Sequence, residues 1–341
     1  MHYELRFKTA IGVRMMNSQI EIPGLGRIDI GHGWKALKEC SDGLHITGAD
    51  GVRHVLSTGD GKMELIGFKD KSIAYVKSEM GYPAYYPLLE TQLKRPVKAV
   101  LMDLDGTTVR SEEFWIWIIE RTVASLLEDG GFRLAEADIP FVSGHSVSEH
   151  LRYCIDKYAP EASLAEARNY YMQHTEREME LIFDGKGRPN AFKPTPGVKE
   201  FLLELKELGI KIALVTSGLY RKAYPEILSA FETLEMGDPE EFYDCIITAG
   251  YPLGRGKTGT LGELEAKPHP WLYAEACRVG LNIDDRSSVI GIEDSGAGIC
   301  AVRLAGYYTV GISGGNIIQS GTRGMCDQYC DSFGEIVRLV T

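Results

Sequence analysis

From Val97 onward the chain repeats one pattern: a short apolar run, a turn, then apolar residues at helical spacing. Val97 to Met102, Lys211 to Val215, Cys245 to Thr248, Ser288 to Ile292 and Tyr308 to Ile312 are predicted strands. Unbroken apolar runs of this length, closed by turn residues, suit strands buried on both faces. Helices are predicted over about 197–208, 223–234, 270–279 and 297–304. Thr195 is placed to cap the first of these, with Pro196 at its first helical position. Repeated strand–helix units predict an α/β fold, a doubly wound parallel sheet with helices on both faces. The Gly-rich stretch 250–265 reads as a loop or hairpin.

Between the first strand and Pro194 the pattern is helical. Residues 112–128 carry apolar positions at helical spacing and stop before Gly130-Gly131. Ser146-x-x-Glu149 and Ser163-x-x-Glu166 read as capping boxes opening helices that run to about Tyr158 and Phe183. Asp184-Gly185-Lys186-Gly187 ends that pattern, so residues 111–190 form a helical insertion placed after the first strand.

Residues 1–95 alternate with period two instead. Tyr3 to Thr9 is one such stretch. Gln19 to Ile22 and Arg27 to Ile30 flank a Pro23-Gly24-Leu25-Gly26 turn, and Leu44 to Thr47 and Val52 to Leu56 flank Gly48-Ala49-Asp50-Gly51. Met63 to Phe68 and Ile73 to Lys77 continue the series. These are hairpin signals, and they predict a small antiparallel, β-rich module. The Tyr82-Pro83-Ala84-Tyr85-Tyr86-Pro87 cluster reads as a linker packed on its neighbour. Three regions follow: 1–95, a core of 96–110 with 191–341, and the insertion 111–190.

Charge supports the first boundary. Residues 1–95 carry 13 Lys and Arg against 11 Asp and Glu; the remainder carries 24 against 37. The net charge of −11 argues against nucleic acid and anionic membranes as partners. No apolar run approaches the ~20 residues that span a bilayer, and the first residues lack the pattern of a signal peptide. Seven scattered cysteines suggest reduced thiols and a cytoplasmic protein. Cys326 and Cys330 read as core residues. The four histidines before residue 60 match no metal spacing.

The candidate chemistry sits at strand ends. The first strand closes on Asp103-Leu104-Asp105-Gly106-Thr107-Thr108. Ligands of open α/β sheets bind beyond the carboxyl ends of the strands. Alternation turns Asp103 and Asp105 to the same side, and two acids so close call for a cation or a proton between them. A hard divalent cation, Mg²⁺, fits oxygen ligands. A second apolar strand also ends in two acids, Glu293-Asp294. Thr216-Ser217-Gly218 closes a third, where a hydroxyl and turn amides can meet an anion. Lys267 precedes Pro268, and His269 reads as part of the start of the next helix.

This order of motifs resembles the haloacid dehalogenase superfamily of phosphotransferases, over roughly Val97 to Thr341. The resemblance implies that Asp103 is the nucleophile and Asp105 the general acid and then base. It makes Thr216, Ser217 and Lys267 the phosphate-binding residues. It gives Mg²⁺ to Asp103, the Asp105 carbonyl, Asp294 and Glu293, the last as ligand or outer partner. Members that dehalogenate carbon lack the second Asp, so Asp105 favours phosphorus chemistry. The helical insertion corresponds to a cap, with Glu113, Trp117 and His145 as candidates for substrate choice. The branch is similar to β-phosphoglucomutase and phosphoglycolate phosphatase. The mutase carries a His where this chain has Trp115, so a phosphatase acting on a small phosphorylated metabolite is the expectation. The alternatives are a sugar-phosphate mutase and a scaffold protein binding through the N-terminal module.

Overall fold

The computed structural model describes residues 18–30, 33–77, 82–139, 147–248 and 266–341. The expected strand at Tyr3 to Thr9, the loop at 250–265, Ser146 and His145 lie outside them.

The N-terminal strands are β1 (Ser18–Ile22), β2 (Gly26–Ile30), β3 (Lys35–Leu37), β4 (His54–Ser57), β5 (Met63–Gly67), β6 (Ser72–Val76) and β7 (Ala84–Pro87). β1 and β2 form the expected hairpin, with Ser18 opposite Ile30. β3 to β7 form a five-stranded antiparallel meander in chain order. Two expectations change here. β4 pairs with β3, not with Leu44 to Thr47, because residues 40–45 already reverse the chain: the Cys40 amide donates to the His45 carbonyl at 2.8 Å. The tyrosine cluster is not a linker but supplies β7, at the edge beside β6.

The core strands are β8 (Ala99–Asp103), β11 (Lys211–Val215), β12 (Cys245–Ile247), β13 (Val289–Glu293), β14 (Tyr308–Ile312) and β15 (Gln328–Cys330). They form one parallel sheet in the order β12-β11-β8-β13-β14-β15. Alternate residues feed opposite layers. Val100, Met102, Ile212, Leu214, Ile290 and Ile292 pack into one core. Ala99, Leu101, Ala213, Val215 and Val289 pack into the other. Chain order departs from β8 in both directions, so the crevice of the sheet opens at its carboxyl end.

Two short strands, β9 (Val109–Arg110) and β10 (Lys193–Pro194), pair antiparallel as the two stems of the insertion. Between them lie α1 (Glu112–Leu126), α2 (Val147–Tyr158) and α3 (Leu164–Phe183). Ser163 caps α3 as expected, accepting the Glu166 amide at 3.1 Å. The core helices are α4 (Val198–Glu207), α5 (Tyr220–Leu234), α6 (Pro239–Phe242), α7 (Trp271–Glu275), α8 (Gly296–Ala305) and α9 (Phe333–Val340). α4 starts two residues later than the capping pattern suggests, because Gly197 takes a left-handed conformation at its N-cap.

The N-terminal strands are not a separate body. Ile22, Ile28, Trp34, Leu56, Met63 and Leu65 share one apolar cluster with Ile299, Cys300, Leu304, Ile317 and Met325. Trp34 Nε1 donates to the Gly321 carbonyl at 2.8 Å, and the Gly59 amide to the Ser320 carbonyl at 2.9 Å. Gly33, at φ +87°, lies so close to Gly321 that a Cβ would sit 2.3 Å from its backbone. The segment held in this way, 313–321, runs on to the mouth of the crevice. Replacing Trp34 with Ala removes a buried ring and strands a carbonyl, so the expected loss is about 3–5 kcal/mol. Chemical denaturation measures it; a loss below about 1 kcal/mol contradicts this view of the interface.

Candidate active site

Asp103 is the last residue of β8 and is buried. Beyond it the chain turns tightly. The Gly106 amide donates to the Val109 carbonyl at 2.8 Å, and Thr108 Oγ1 donates to the Asp103 carbonyl at 2.6 Å. Gly106 is required twice over. Its φ of +84° suits glycine, and a Cβ there would lie 2.0 Å from Asp294 Oδ2. The turn thus brings β8 and the end of β13 into contact. Asp105 Oδ1 accepts a hydrogen bond from Ser111 Oγ at 2.6 Å, which fixes its carboxylate.

Lys267 occupies the centre of the acids. Its Nζ bonds Asp103 Oδ1, lies 2.6 Å from Glu293 Oε1, and donates to the Val215 carbonyl at 3.0 Å. Glu293 Oε1 also accepts from Tyr273 Oη at 2.5 Å, and Oε2 from Ser295 Oγ at 3.2 Å. Three donors thus hold Glu293, which anchors Lys267 and keeps acceptor capacity on Oε2.

Asp103, Glu293 and Asp294 present carboxylate oxygens within 4.8 Å of one another, all buried. Three buried carboxylates against one ammonium leave two negative charges without a counter-ion. The protonation pattern reflects this excess. Burial, then Glu293, lifts Asp103 well above the carboxylate range, with Lys267 opposing. Burial and Glu293 lift Asp294 to about 7. Burial works against the Lys267 charge, but Asp103 and Glu293 outweigh it and hold the ammonium above the ordinary lysine range. Asp294 Oδ1 is buried without a hydrogen-bond partner among the described residues. An all-oxygen donor set with surplus negative charge and an orphaned oxygen fits a hard divalent cation.

Thr216 follows β11 and is buried. Its Oγ1 accepts the Gly218 amide at 2.9 Å, which leaves its own proton for another acceptor. Ser217 is occupied differently from the expectation. Its Oγ accepts the Lys267 amide at 3.1 Å, so it fastens the lysine loop to the end of β11.

A cleft of about 810 Å³ opens over Asp105, Gly106 and Asp294, roofed by the helical insertion. The expected roof residues need correction. Glu112, Trp115, Ile116 and Ile119 line the cleft; Glu113 and Trp117 do not. Positions three, four and seven apart share one stripe of a helix, and 113 and 117 fall off it. Glu113 instead pairs with Lys193 at 2.6 Å, its side chain 75% exposed. Trp117 stacks under the Arg188 guanidinium at 4.6 Å.

Other residues of the cleft carried no motif. Lys222 on α5 lies 4.4 Å from the Trp115 ring and 3.9 Å from Glu226 Oε1. Glu226 is fully buried, and burial followed by Asp105 raises it well above the carboxylate range. Arg110, His150, Tyr171 and the 313–316 segment also line it. The helical period of α5 could have placed Lys222 and Glu226 on one face. Nothing local marks 313–316, whose Asn316 Oδ1 accepts the first amide of α8, that of Gly296, at 2.7 Å. His269 does precede α7, and its Nδ1 also lies 2.7 Å from Tyr86 Oη, so β7 braces the lysine loop.

The comparisons agree with this geometry. Residues 97–306 match the haloacid dehalogenase-like hydrolase family. The chain is 28% identical over 228 residues to validoxylamine A 7'-phosphate phosphatase of Streptomyces hygroscopicus subsp. limoneus, covering 63% of this chain and 85% of that one. It is 25% identical over 240 residues to protein CbbY of Cereibacter sphaeroides, covering 70% and 94%. A Thermotoga maritima structure classed as a β-phosphoglucomutase shares the fold with a TM-score of 0.53 at 21% identity, over 72% of this chain and all of that one. This chain therefore belongs to the haloacid dehalogenase-like hydrolases.

Proposed function

We propose that the chain is a Mg²⁺-dependent phosphatase that hydrolyses a small phosphorylated metabolite through an aspartyl-phosphate on Asp103. The observation that carries this reading is the buried Lys267, which holds Asp103 beside Glu293 and Asp294 at the base of the cleft under the helical insertion. The relative from Streptomyces, a phosphatase of validoxylamine A 7'-phosphate, supports a small phosphorylated compound as substrate.

Asp103 is the nucleophile, and its oxygen forms a bond to phosphorus as the ester oxygen leaves. Asp105, oriented by Ser111, protonates that oxygen. In the second half Asp105 takes a proton from water, which attacks the phosphorus and frees Asp103. Lys267 and the Thr216 hydroxyl face the phosphoryl oxygens and stabilise their charge. Asp103, Asp294 and the Asp105 carbonyl would hold Mg²⁺, which supplies charge neutralisation at the phosphoryl group. Trp115 borders the cleft at the position where the resembling mutase carries a His, and an indole is neither a general acid nor a general base at neutral pH. Release of phosphate, rather than its return to the sugar, is the outcome this favours.

Phosphate release from a panel of phosphorylated sugars and polyols tests the reading. Asp103→Asn is expected to lower it by at least about 10³-fold. An isomeric sugar phosphate as product, or an active Asp103→Asn enzyme, contradicts the proposal.

Cation binding gives a pH test. With Asp294 lifted to about 7, protons compete with the cation below that pH. The native carboxyl holds its proton to higher pH than the unfolded one, so this group weakens the cation-free fold as pH rises from about 4 to 7. Mg²⁺ should offset that loss. The rise in melting temperature on adding Mg²⁺ should be larger at pH 8 than at pH 6; an equal rise at both contradicts the assignment.

A further inference from the structure

A second set of donors lies in the N-terminal module, apart from the acid cluster. Cys40, Asp42 and His45 present one sulfur, one carboxylate oxygen and one imidazole nitrogen within 4.8 Å of one another. They come from a single six-residue reversal held by backbone hydrogen bonds. The Cys40 amide donates to the His45 carbonyl at 2.8 Å, and the Gly43 amide to the Cys40 carbonyl at 2.9 Å. Asp42 Oδ1 accepts the Leu44 amide at 2.8 Å.

The three side chains are held as well. The Cys40 thiol is 2% exposed and packs with Val52, Val55 and Ile66. The His45 ring meets Tyr85 and Phe68 edge-on, at 5.4 and 6.2 Å. Its Nδ1 lies 3.3 Å from Tyr85 Oη and 3.8 Å from Asp42 Oδ2. Asp42 Oδ2 is buried with no hydrogen-bond partner among the described residues, and its side chain is only 11% exposed. Its ion-pair neighbour, the His45 imidazole at 3.8 Å, is positive only when protonated, so a bound cation would supply the charge that burial demands.

From these donors we propose that Cys40, Asp42 and His45 form a binding site for Zn²⁺ or a similar borderline-soft divalent cation. Zinc takes thiolate, imidazole and carboxylate ligands, and its bond lengths put tetrahedral donors about 3.3–3.8 Å apart. Asp42 Oδ2 and His45 Nδ1, 3.8 Å apart, need to close by only a few tenths of an ångström to reach the roughly 3.3–3.5 Å that an oxygen–nitrogen pair spans on zinc. The mixed set does not suit Mg²⁺, which prefers oxygen alone. On binding, the Cys40 S–H bond breaks, its electron pair goes to the metal, and the proton passes to solvent. Thiolate and carboxylate then balance the two positive charges. Burial pushes the free thiol up to about 12, with Glu64 and the Asp42 carboxylate raising it further. A cation reverses that cost. The exposed Ser41 and Leu44 leave water access to the fourth position. The site would fasten the reversal between β3 and β4, the turn on which the meander is built.

Co²⁺ is the probe, because a thiolate ligand gives it a near-ultraviolet charge-transfer band. The full chain, stripped with a chelator, is titrated with Co²⁺. A band saturating near one equivalent is expected in the wild type and in Asp103→Asn, which separates this site from the acid cluster. Zn²⁺ should displace it. Cys40→Ser should abolish the band. Because Cys40 is buried, His45→Gln serves as the second variant: its apparent Co²⁺ affinity should fall by at least about tenfold. No band in the wild type, a band surviving Cys40→Ser, or unchanged affinity in His45→Gln overturns the proposal.

Discussion

An ammonium buried among carboxylates organises this molecule. Lys267 joins the end of β8, the end of β13 and the carbonyl that closes β11. Breaking a buried pair of this kind leaves an uncompensated charge, typically a loss of about 3–5 kcal/mol. The lysine fixes Asp103, the proposed nucleophile, and uses Glu293 as its own anchor. The third, Asp294, keeps an oxygen with no hydrogen-bond partner among the described residues. The same constraint that holds three strand ends together thus creates the demand for a divalent cation.

The N-terminal module takes part in that arrangement. Its strands bury their apolar face on α8 and on the segment that reaches the cleft mouth at 313–316. Trp34 and Gly59 bond to backbone at 320–321, and Tyr86 meets His269, two residues beyond Lys267. Two of the loops bordering the chemistry are therefore braced by strands that contribute no side chain to the lining of the cleft. Shared packing is the reason the module and the core form one apolar body at this face.

The core was legible in sequence because burial on both faces leaves an unmistakable trace. The strands at 99–103, 211–215 and 289–293 are built mostly of buried apolar residues, and the polar residues at or just beyond their carboxyl ends form the site. Local signals failed where pairing or rotation is decided at long range. The apolar stretch at 44–47 resembles a hairpin arm, yet the turn at 40–45 gives its place to Lys35–Leu37. α1 carries apolar residues on two stripes. Phe114 and Ile118 enter the core, while Trp115 and Ile116 border the cleft. Spacing alone does not say which stripe meets substrate, hence the misplacement of Glu113 and Trp117. The 313–321 segment has no periodicity, and its position depends on partners some 260 to 290 residues away in sequence.

Covalent catalysis by Asp103 is the claim on which the mechanism rests, and the stereochemical course at phosphorus tests it most directly. A substrate made chiral at phosphorus with oxygen isotopes, hydrolysed in labelled water, reports the number of in-line displacements. Attack by Asp103 followed by attack of water is two displacements, and the account predicts retention of configuration. Inversion would mean a single attack by water, with Asp103 never bonded to phosphorus, and would contradict it.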